Sequence, residues 1–282
     1  MRRILLGLIG SGIQRSLSPA LQEREAAAHD IRCLYQLIDL DVLRLTPAAL
    51  GELFQAAERM GFTGLNITHP CKQAVLPLLT DVAEDACALG AVNTVIFREG
   101  RRFGHNTDWL GFTAALREEL PDVSLGRIAQ LGAGGGGSAT AFAALKLGAR
   151  QIRILDVDPL RSRTLAARLN RLFGENKAWA VEDPVEALRD ADGLVHATPT
   201  GMNGPGLPIS AGLLRPDLWV AEIVYFPLET ELLSAAKQLG CRTMDGGRMA
   251  VGQAAEAFRL FTGSEPDSVR MRRHFLSLVE AR

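Results

Sequence analysis

The chain has 282 residues, 47% hydrophobic and 22% charged, with 31 basic side chains against 32 acidic ones and a formal charge of −1. That composition suits one large packed domain or two ordinary ones and excludes disordered and fibrous chains. The balanced charge leaves no electrostatic footprint for nucleic acid or an anionic membrane.

Arg2-Arg3 ahead of the run Ile4–Gly10 imitates the start of a signal peptide. The run is only seven residues long, however, and Arg15 follows without a small-x-small cleavage site. It reads instead as a buried strand over Ile4–Ile9. A helix over Pro19–His29, a strand over Cys33–Ile38, a helix over Pro47–Met60 and a strand over Gly64–Ile67 follow. Beyond an irregular apolar stretch come a short helix near Val82–Leu89, strands near Val92–Phe97 and Arg102–His105, and a helix from Trp109 to Leu120 that Pro121 ends.

The second half alternates with a cleaner period: strand Arg127–Leu131, helix Ser138–Leu147, strand Gln151–Asp156, helix Pro159–Phe173, then strands near Gly193–His196 and Trp219–Ile223. Two helical stretches, Met249–Phe261 and Pro266–Val279, close the chain. Such alternation predicts an α/β fold with parallel sheets covered on both faces. We expect two α/β domains with a cleft between them. Residues 1–106 would form a substrate-binding catalytic domain, 107–246 a Rossmann dinucleotide-binding domain, and 247–282 C-terminal helices returning to the first. No apolar run reaches the ~18 residues of a membrane span. The cysteines Cys33, Cys71, Cys87 and Cys241 form no C-x-x-C pair, which excludes a zinc knuckle and predicts reduced thiols in a cytoplasmic protein.

The run Gly132–Gly137 satisfies G-x-G-x-x-G through Gly132, Gly134 and Gly137, with Gly135 inside it, and follows the apolar strand. The first glycine turns tightly, the second admits a pyrophosphate, and the third brings helix close to strand; the helix N-terminus then offers N–H groups to the anion. Alone the pattern is weak, but strand and helix flank it on both sides. Asp156, 24 residues after Gly132, ends the next strand, where a carboxylate holds ribose hydroxyls. Asp158 precedes Pro159 and reads as a helix cap. A carboxylate at 156 repels the 2′-phosphate of NADP. A charge-assisted hydrogen bond contributes about 1.5–3 kcal/mol, one to two decades of preference for NAD. Arg161 and Arg163 either partly neutralise that carboxylate or are solvated helix positions.

The first hundred residues carry scattered polar groups. Ser16 and Ser18 flank Leu17 and face one way in extended chain, as two hydroxyls for a carboxylate; Ser18 equally reads as the cap before Pro19. Lys72 ends the motif Asn66-Ile67-Thr68-His69-Pro70-Cys71-Lys72 and is the only lysine before Lys146. A solitary lysine is a surface charge or, unlike arginine, a group able to shed its proton. Asn93-Thr94 and Gly104–Asp108 place polar groups at strand ends, where Asp108 also suits the first turn of a helix.

As a set, these segments resemble the shikimate dehydrogenase family. The resemblance runs through Gly7-Leu8-Ile9-Gly10, Ser16-Leu17-Ser18-Pro19, Asn66–Lys72, Gly90–Thr94, Asn106-Thr107-Asp108, the glycine turn, Val224-Tyr225-Phe226-Pro227 and Gly247 to Gln253. Within the family it points to the NAD-using quinate/shikimate dehydrogenase branch through Asn66–Leu79, Asp156-Val157-Asp158 and Phe258–Gly263. The resemblance implies that Lys72 and Asp108 are the catalytic pair at the hydroxyl being oxidised. It further implies that Ser16 and Ser18 bind the substrate carboxylate with Tyr225 nearby, and that Thr68, Asn93 and Gln253 bond ring hydroxyls. NADP-using members usually carry Asn-Arg-Thr where this chain has Asp156-Val157-Asp158. Two departures bear on substrate choice: Gly12 and Arg15 stand where many members have proline and histidine.

The expected activity is therefore NAD-dependent hydride transfer interconverting shikimate and 3-dehydroshikimate, with quinate a second substrate. No metal, nucleic acid or membrane partner is expected, and both monomer and homodimer remain open. Rival readings are an aminoshikimate dehydrogenase, a ligand sensor that has lost catalysis, and methylenetetrahydrofolate dehydrogenase. Retention of Lys72 and Asp108 argues against the sensor, and the paired serines against the last.

Overall fold

The computed structural model describes residues 1–202 and 204–281. Its strands are β1 (Arg2–Gly10), β2 (Ile31–Asp39), β3 (Gly64–Ile67), β4 (Asp81–Val82), β5 (Thr94–Arg98), β6 (Arg101–His105), β7 (Arg127–Leu131), β8 (Gln151–Leu155), β9 (Ala178–Ala180), β10 (Gly193–His196), β11 (Trp219–Glu222) and β12 (Thr243–Met244). The chain divides into two compact units, Met1–Thr107 with Gln253–Arg282, and Asp108–Gly252. One division falls inside the helix Gly246–Thr262, because that helix is continuous where the sequence suggests a break at its glycines. Among the described residues no helix is long and apolar enough to cross a membrane.

The first unit holds a six-stranded sheet in the order β2-β1-β3-β5-β6-β4. Strand–helix alternation predicts a parallel sheet, but this one is mixed: β1 runs parallel to β2 and β3, and β5 antiparallel to β3 and β6. The cause is local. Only Glu99 and Gly100 join β5 to β6, both with positive φ (53° and 71°), a two-residue reversal, whereas a parallel pair requires a crossover of about a dozen residues.

Successive residues of β1 serve opposite faces. Ile4, Leu6 and Leu8 pack with Ala26, Tyr35, Phe258 and Phe261, while Ile9 packs with Phe54, Leu65 and Ile67. The helix Ser18–Ala28 and the C-terminal helix cover one face, and Leu50–Arg59 the other. Gly64 makes the C-terminal packing feasible, since a Cβ there would lie 2.5 Å from the Phe261 ring. Each fully buried Leu or Phe contributes about 1.5–3 kcal/mol.

The second unit is an all-parallel sheet ordered β12-β11-β10-β7-β8-β9. On one face Phe142 of the helix Gly135–Lys146 meets Trp109 and Phe173 edge-on, each at 5.4 Å between centroids. On the other, Ala187, Leu188, Leu232 and Leu233 close over Ala129, Leu194 and Val220. Asp158, Asp183 and Thr230 cap their helices by accepting backbone N–H bonds, and Pro159 and Pro184 sit in the first turns. The sheet edges β9 and β12 lay outside the sequence reading, since three and two residues are too short to show a period.

Glu25 fastens the C-terminal segment to the first unit. This residue is 1% exposed and accepts from Arg270 Nη2 (2.6 Å) and Nε (2.9 Å) and from the Asp267 N–H (2.8 Å), with His29 Nε2 at 3.1 Å. Burial pushes its carboxyl up, but the bonds from Arg270, Asp267 and His29 outweigh that and hold it below the ordinary 4.5. A carboxyl lowered on folding stabilises fully above its unfolded pKa, and that contribution is lost as pH falls through the folded value. Glu25→Gln should therefore cost about 1–3 kcal/mol near neutrality. Urea unfolding at pH 7 and near pH 3 checks this, and the gap to wild type should shrink at the lower pH.

Candidate active site

The glycine turn follows β7. Gly132 has φ +99°, and a Cβ on it would lie 2.4 Å from the Ala197 carbonyl oxygen; one on Gly137 would lie 2.2 Å from the Gly132 carbonyl oxygen. The helix begins at Gly135, not at Ser138, with Gly134 as its extended N-cap. Alanine-rich composition gives the helical period no apolar edge to start from, which hid the first turn. Gly135, Gly136 and Gly137 thus form that turn, whose N–H groups have no intrahelical acceptor. Space over Gly134 is open. Close backbone approach, an N–H array and open space together fit a pyrophosphate.

Gln130 holds the turn in shape. Its Nε2 donates to the carbonyls of Gly132 (2.9 Å) and Gly137 (2.8 Å), and its Oε1 accepts from the Thr140 hydroxyl (2.9 Å). The sequence reading passed over it, although a polar residue inside an apolar strand was the available signal.

Asp156 follows β8. Its Oδ2 accepts from the Ala133 N–H (2.7 Å) and its Oδ1 from the Asp158 N–H (2.9 Å). The carboxylate is thereby fixed beside the turn, and each oxygen keeps a further lone pair for a ribose hydroxyl. Asp158 accepts from the Leu160 N–H as the expected cap. Arg161 is 63% exposed, and the ion pairs of these two arginines are with Asp158 (Arg161, 3.4 Å) and Glu182 (Arg163, 2.6 Å).

In the first unit a buried polar chain links several expected site residues. Asn93 Oδ1 accepts from the Thr107 N–H (2.8 Å) and the Thr94 hydroxyl (3.0 Å), and its Nδ2 donates to Thr107 Oγ1 (3.0 Å). Asn66 Nδ2 donates to Thr94 Oγ1 (3.0 Å), and Asn66 Oδ1 accepts from the Tyr35 hydroxyl (2.7 Å). Tyr35 also bonds Ser18, and burial pushes its phenol pKa upward, which keeps it a donor. Thr107 Oγ1 lies 3.5 Å from Gln253 Oε1. Asp108 comes directly after Thr107, 7% exposed, and opens the helix Asp108–Glu119. Thr107 lies in the motif Asn106-Thr107-Asp108 without a role of its own, and nothing local in β2 marks Tyr35.

Ser16 Oγ accepts from the Ser18 N–H (3.2 Å). Ser18 is not the cap considered for it: Leu17 holds that position, and Ser18 is the first helical residue. The loop before it is anchored by Asp39, 3% exposed, which accepts from the N–H groups of Gly12 (3.2 Å) and Ile13 (3.0 Å) and from Gln14 Nε2 (3.0 Å). Gly12 has φ +66°, a conformation that proline could not adopt. Burial pushes the Asp39 carboxyl up, but bonds from Gln14, Asp41, Ile13 and Gly12 outweigh it and hold it below the usual range.

Thr68 follows β3, its N–H bonded to the Ile9 carbonyl (2.9 Å) and its Cγ2 lying where a Cβ on Gly10 would fall. Past the cis His69–Pro70 bond, the short helix Cys71–Ala74 carries Lys72, half-buried, whose carbonyl accepts from the Val92 N–H (2.9 Å). Cys71 is fully buried and burial pushes its thiol up to about 11, which removes it as a rival nucleophile. Tyr225 lies in the second unit, after β11 and before the cis Phe226–Pro227 bond.

Comparison with known proteins shows the family to which the sequence is similar. The family model described as shikimate dehydrogenase substrate binding domain matches residues 8–95, and the shikimate 5′-dehydrogenase C-terminal domain matches 247–274. The chain is 58% identical over 270 residues to shikimate dehydrogenase (NADP(+)) of Streptomyces avermitilis, covering 95% of this chain and 93% of that one. It is 49% identical over 279 residues to quinate/shikimate dehydrogenase (NAD(+)) of Corynebacterium efficiens, covering 98% of both. The solved quinate dehydrogenase from Corynebacterium glutamicum in complex with NAD superposes with a TM-score of 0.92 at 46% identity, over 98% of this chain and 100% of that one.

The close approach at the turn predicts that Gly137→Ala, by pushing the helix from Gly132, weakens dinucleotide binding at least about tenfold. Fluorescence titration checks the affinity, and an unchanged far-ultraviolet circular dichroism spectrum separates lost binding from lost fold.

Proposed function

The chain belongs to the shikimate dehydrogenase family, and on that premise we propose that it is an NAD-dependent oxidoreductase interconverting shikimate and 3-dehydroshikimate, with quinate and 3-dehydroquinate as a second pair. Relatives of high identity are named for NADP(+) and for NAD(+), so their names alone do not choose the cofactor. The observation that carries the choice is Asp156, a carboxylate fixed at the end of β8 by the N–H of the glycine turn itself. It suits two ribose hydroxyls and repels a 2′-phosphate, and its neighbouring arginines are paired elsewhere.

Residue by residue, the reading assigns residues 1–106 to substrate, 107–246 to cofactor and 247–282 to the C-terminal helices. Gly132, Gly134, Gly135 and Gly137 hold the pyrophosphate and Asp156 the adenosine ribose, with Arg161 at the periphery through Asp158. Ser16 and Ser18 take the substrate carboxylate, helped by Tyr225. Thr68, Asn93 and Gln253 bond ring hydroxyls. Lys72 and Asp108 act at the hydroxyl being oxidised: the amine assists removal of its proton and the carboxylate orients the group. In reduction the same amine returns the proton to the carbonyl oxygen. When bound, NAD supplies the hydride acceptor.

Initial rates with shikimate and with quinate, each with NAD and with NADP, test the whole reading. We expect turnover with NAD and weak activity with NADP, and no turnover of either substrate would overturn it. Asp156→Ser should lower kcat/KM for NAD about ten- to hundredfold and narrow the preference over NADP. Lys72→Ala should reduce kcat by about 10²–10⁴ with KM for shikimate little changed; near-normal turnover would refute the role given to Lys72.

A further inference from the structure

β10 ends at His196 and β11 at Glu222, opposite each other in register, and both side chains are fully buried. His196 Nδ1 lies 2.7 Å from Glu222 Oε2, and His196 Nε2 lies 2.5 Å from Thr198 Oγ1. The carboxylate is otherwise saturated. Its Oε1 accepts the N–H bonds of Ile223 (2.8 Å) and Val224 (2.9 Å), and its Oε2 accepts the Thr230 hydroxyl (3.0 Å). An imidazole and a carboxylate buried together pay a desolvation cost that an apolar pair would not, so packing alone does not account for them.

What the pair controls is the segment above it. An imidazole whose Nδ1 proton is held by a carboxylate offers a lone pair at Nε2, which orients the Thr198 hydroxyl. Thr198 Oγ1 in turn accepts from the Thr200 N–H (3.3 Å) and lies 3.1 Å from Thr200 Oγ1. This segment faces the glycine turn: Ala197 bonds the Leu131 carbonyl (2.7 Å), and Thr198 Cγ2 would stand 3.1 Å from a Cβ on Gly132.

β7 and β10 are the neighbours at which the strand order reverses, and the ligand crevice of an open parallel sheet lies outside the strand ends at that reversal. Asp156 assigns the adenosine half of a dinucleotide to the β8 side. The nicotinamide half then falls on the β10–β11 side, over Thr198. Resting on the NAD reading above, we propose that Glu222 and His196 are positioning residues for the nicotinamide half of the cofactor, acting through Thr198 to hold residues 197–201 as a fixed wall of the crevice.

Calorimetric titration of wild type, Thr198→Val and Glu222→Gln with NAD and with ADP-ribose, which lacks the nicotinamide ring, tests this. Both variants should bind NAD about five- to tenfold more weakly, the loss of one well-placed hydrogen bond, while the ADP-ribose Kd stays within about twofold. A merely structural role would lower the melting temperature and weaken both ligands together. Equal losses, or unchanged NAD binding in Thr198→Val, overturn the proposal. Thr198→Val replaces one hydroxyl by one methyl and decides the matter even if Glu222→Gln does not fold. If wild type takes up NADP in place of NAD, the cofactor reading fails, and the same comparison with NADP and 2′-phospho-ADP-ribose decides the positioning role separately. Binding of neither dinucleotide overturns both.

Discussion

Parallel strands joined by helical crossovers all end on one side of their sheet, and the chemistry of this chain depends on that directional constraint. In the second unit Gly132, Asp156, Ala197 and Ile223 each follow the carboxyl end of a strand. No loop has to travel to bring them to one edge. In the first unit the parallel trio β2, β1 and β3 does the same for Asp39, the loop carrying Ser16 and Ser18, and Thr68. The antiparallel pair β5 and β6 adds Asn93 at the start of one strand and Asn106-Thr107 beyond the end of the other, so the two meet across the ladder.

Polar groups at those strand ends lie too deep for water to satisfy them, and each is therefore bonded within the protein. Asn93 with Thr107, Asp39 with the Gly12–Gln14 loop, Gln130 with the glycine turn and Glu222 with His196 are four cases of one arrangement. In each, a buried side chain fixes backbone that carries or flanks a candidate ligand group. The arrangement rigidifies the site before anything binds, which lowers the ordering cost of binding.

Cofactor choice in such a fold is a balance at one position. Relatives at 58% and 49% identity are named for different dinucleotides, so the proposed choice of NAD is argued from Asp156 and not from overall likeness. Next to Asp156, Arg161 pairs with Asp158 and Arg163 with Glu182.

Local features follow from the amino-acid order. Strands β3, β7 and β10 and the helix Pro159–Phe173 have the limits that hydrophobic period and turn residues indicate, and the Asp158 cap follows from its neighbour Pro159. The glycine motif was legible because its spacing encodes a turn in six consecutive residues. Only strand pairing decided the mixed character of the first sheet and the buried chains through Tyr35, Asn93 and His196. The reason is physical. Period, capping and turn preference act between residues a few positions apart, whereas Tyr35 and Asn66, or His196 and Glu222, are brought within hydrogen-bonding distance only when strands pair.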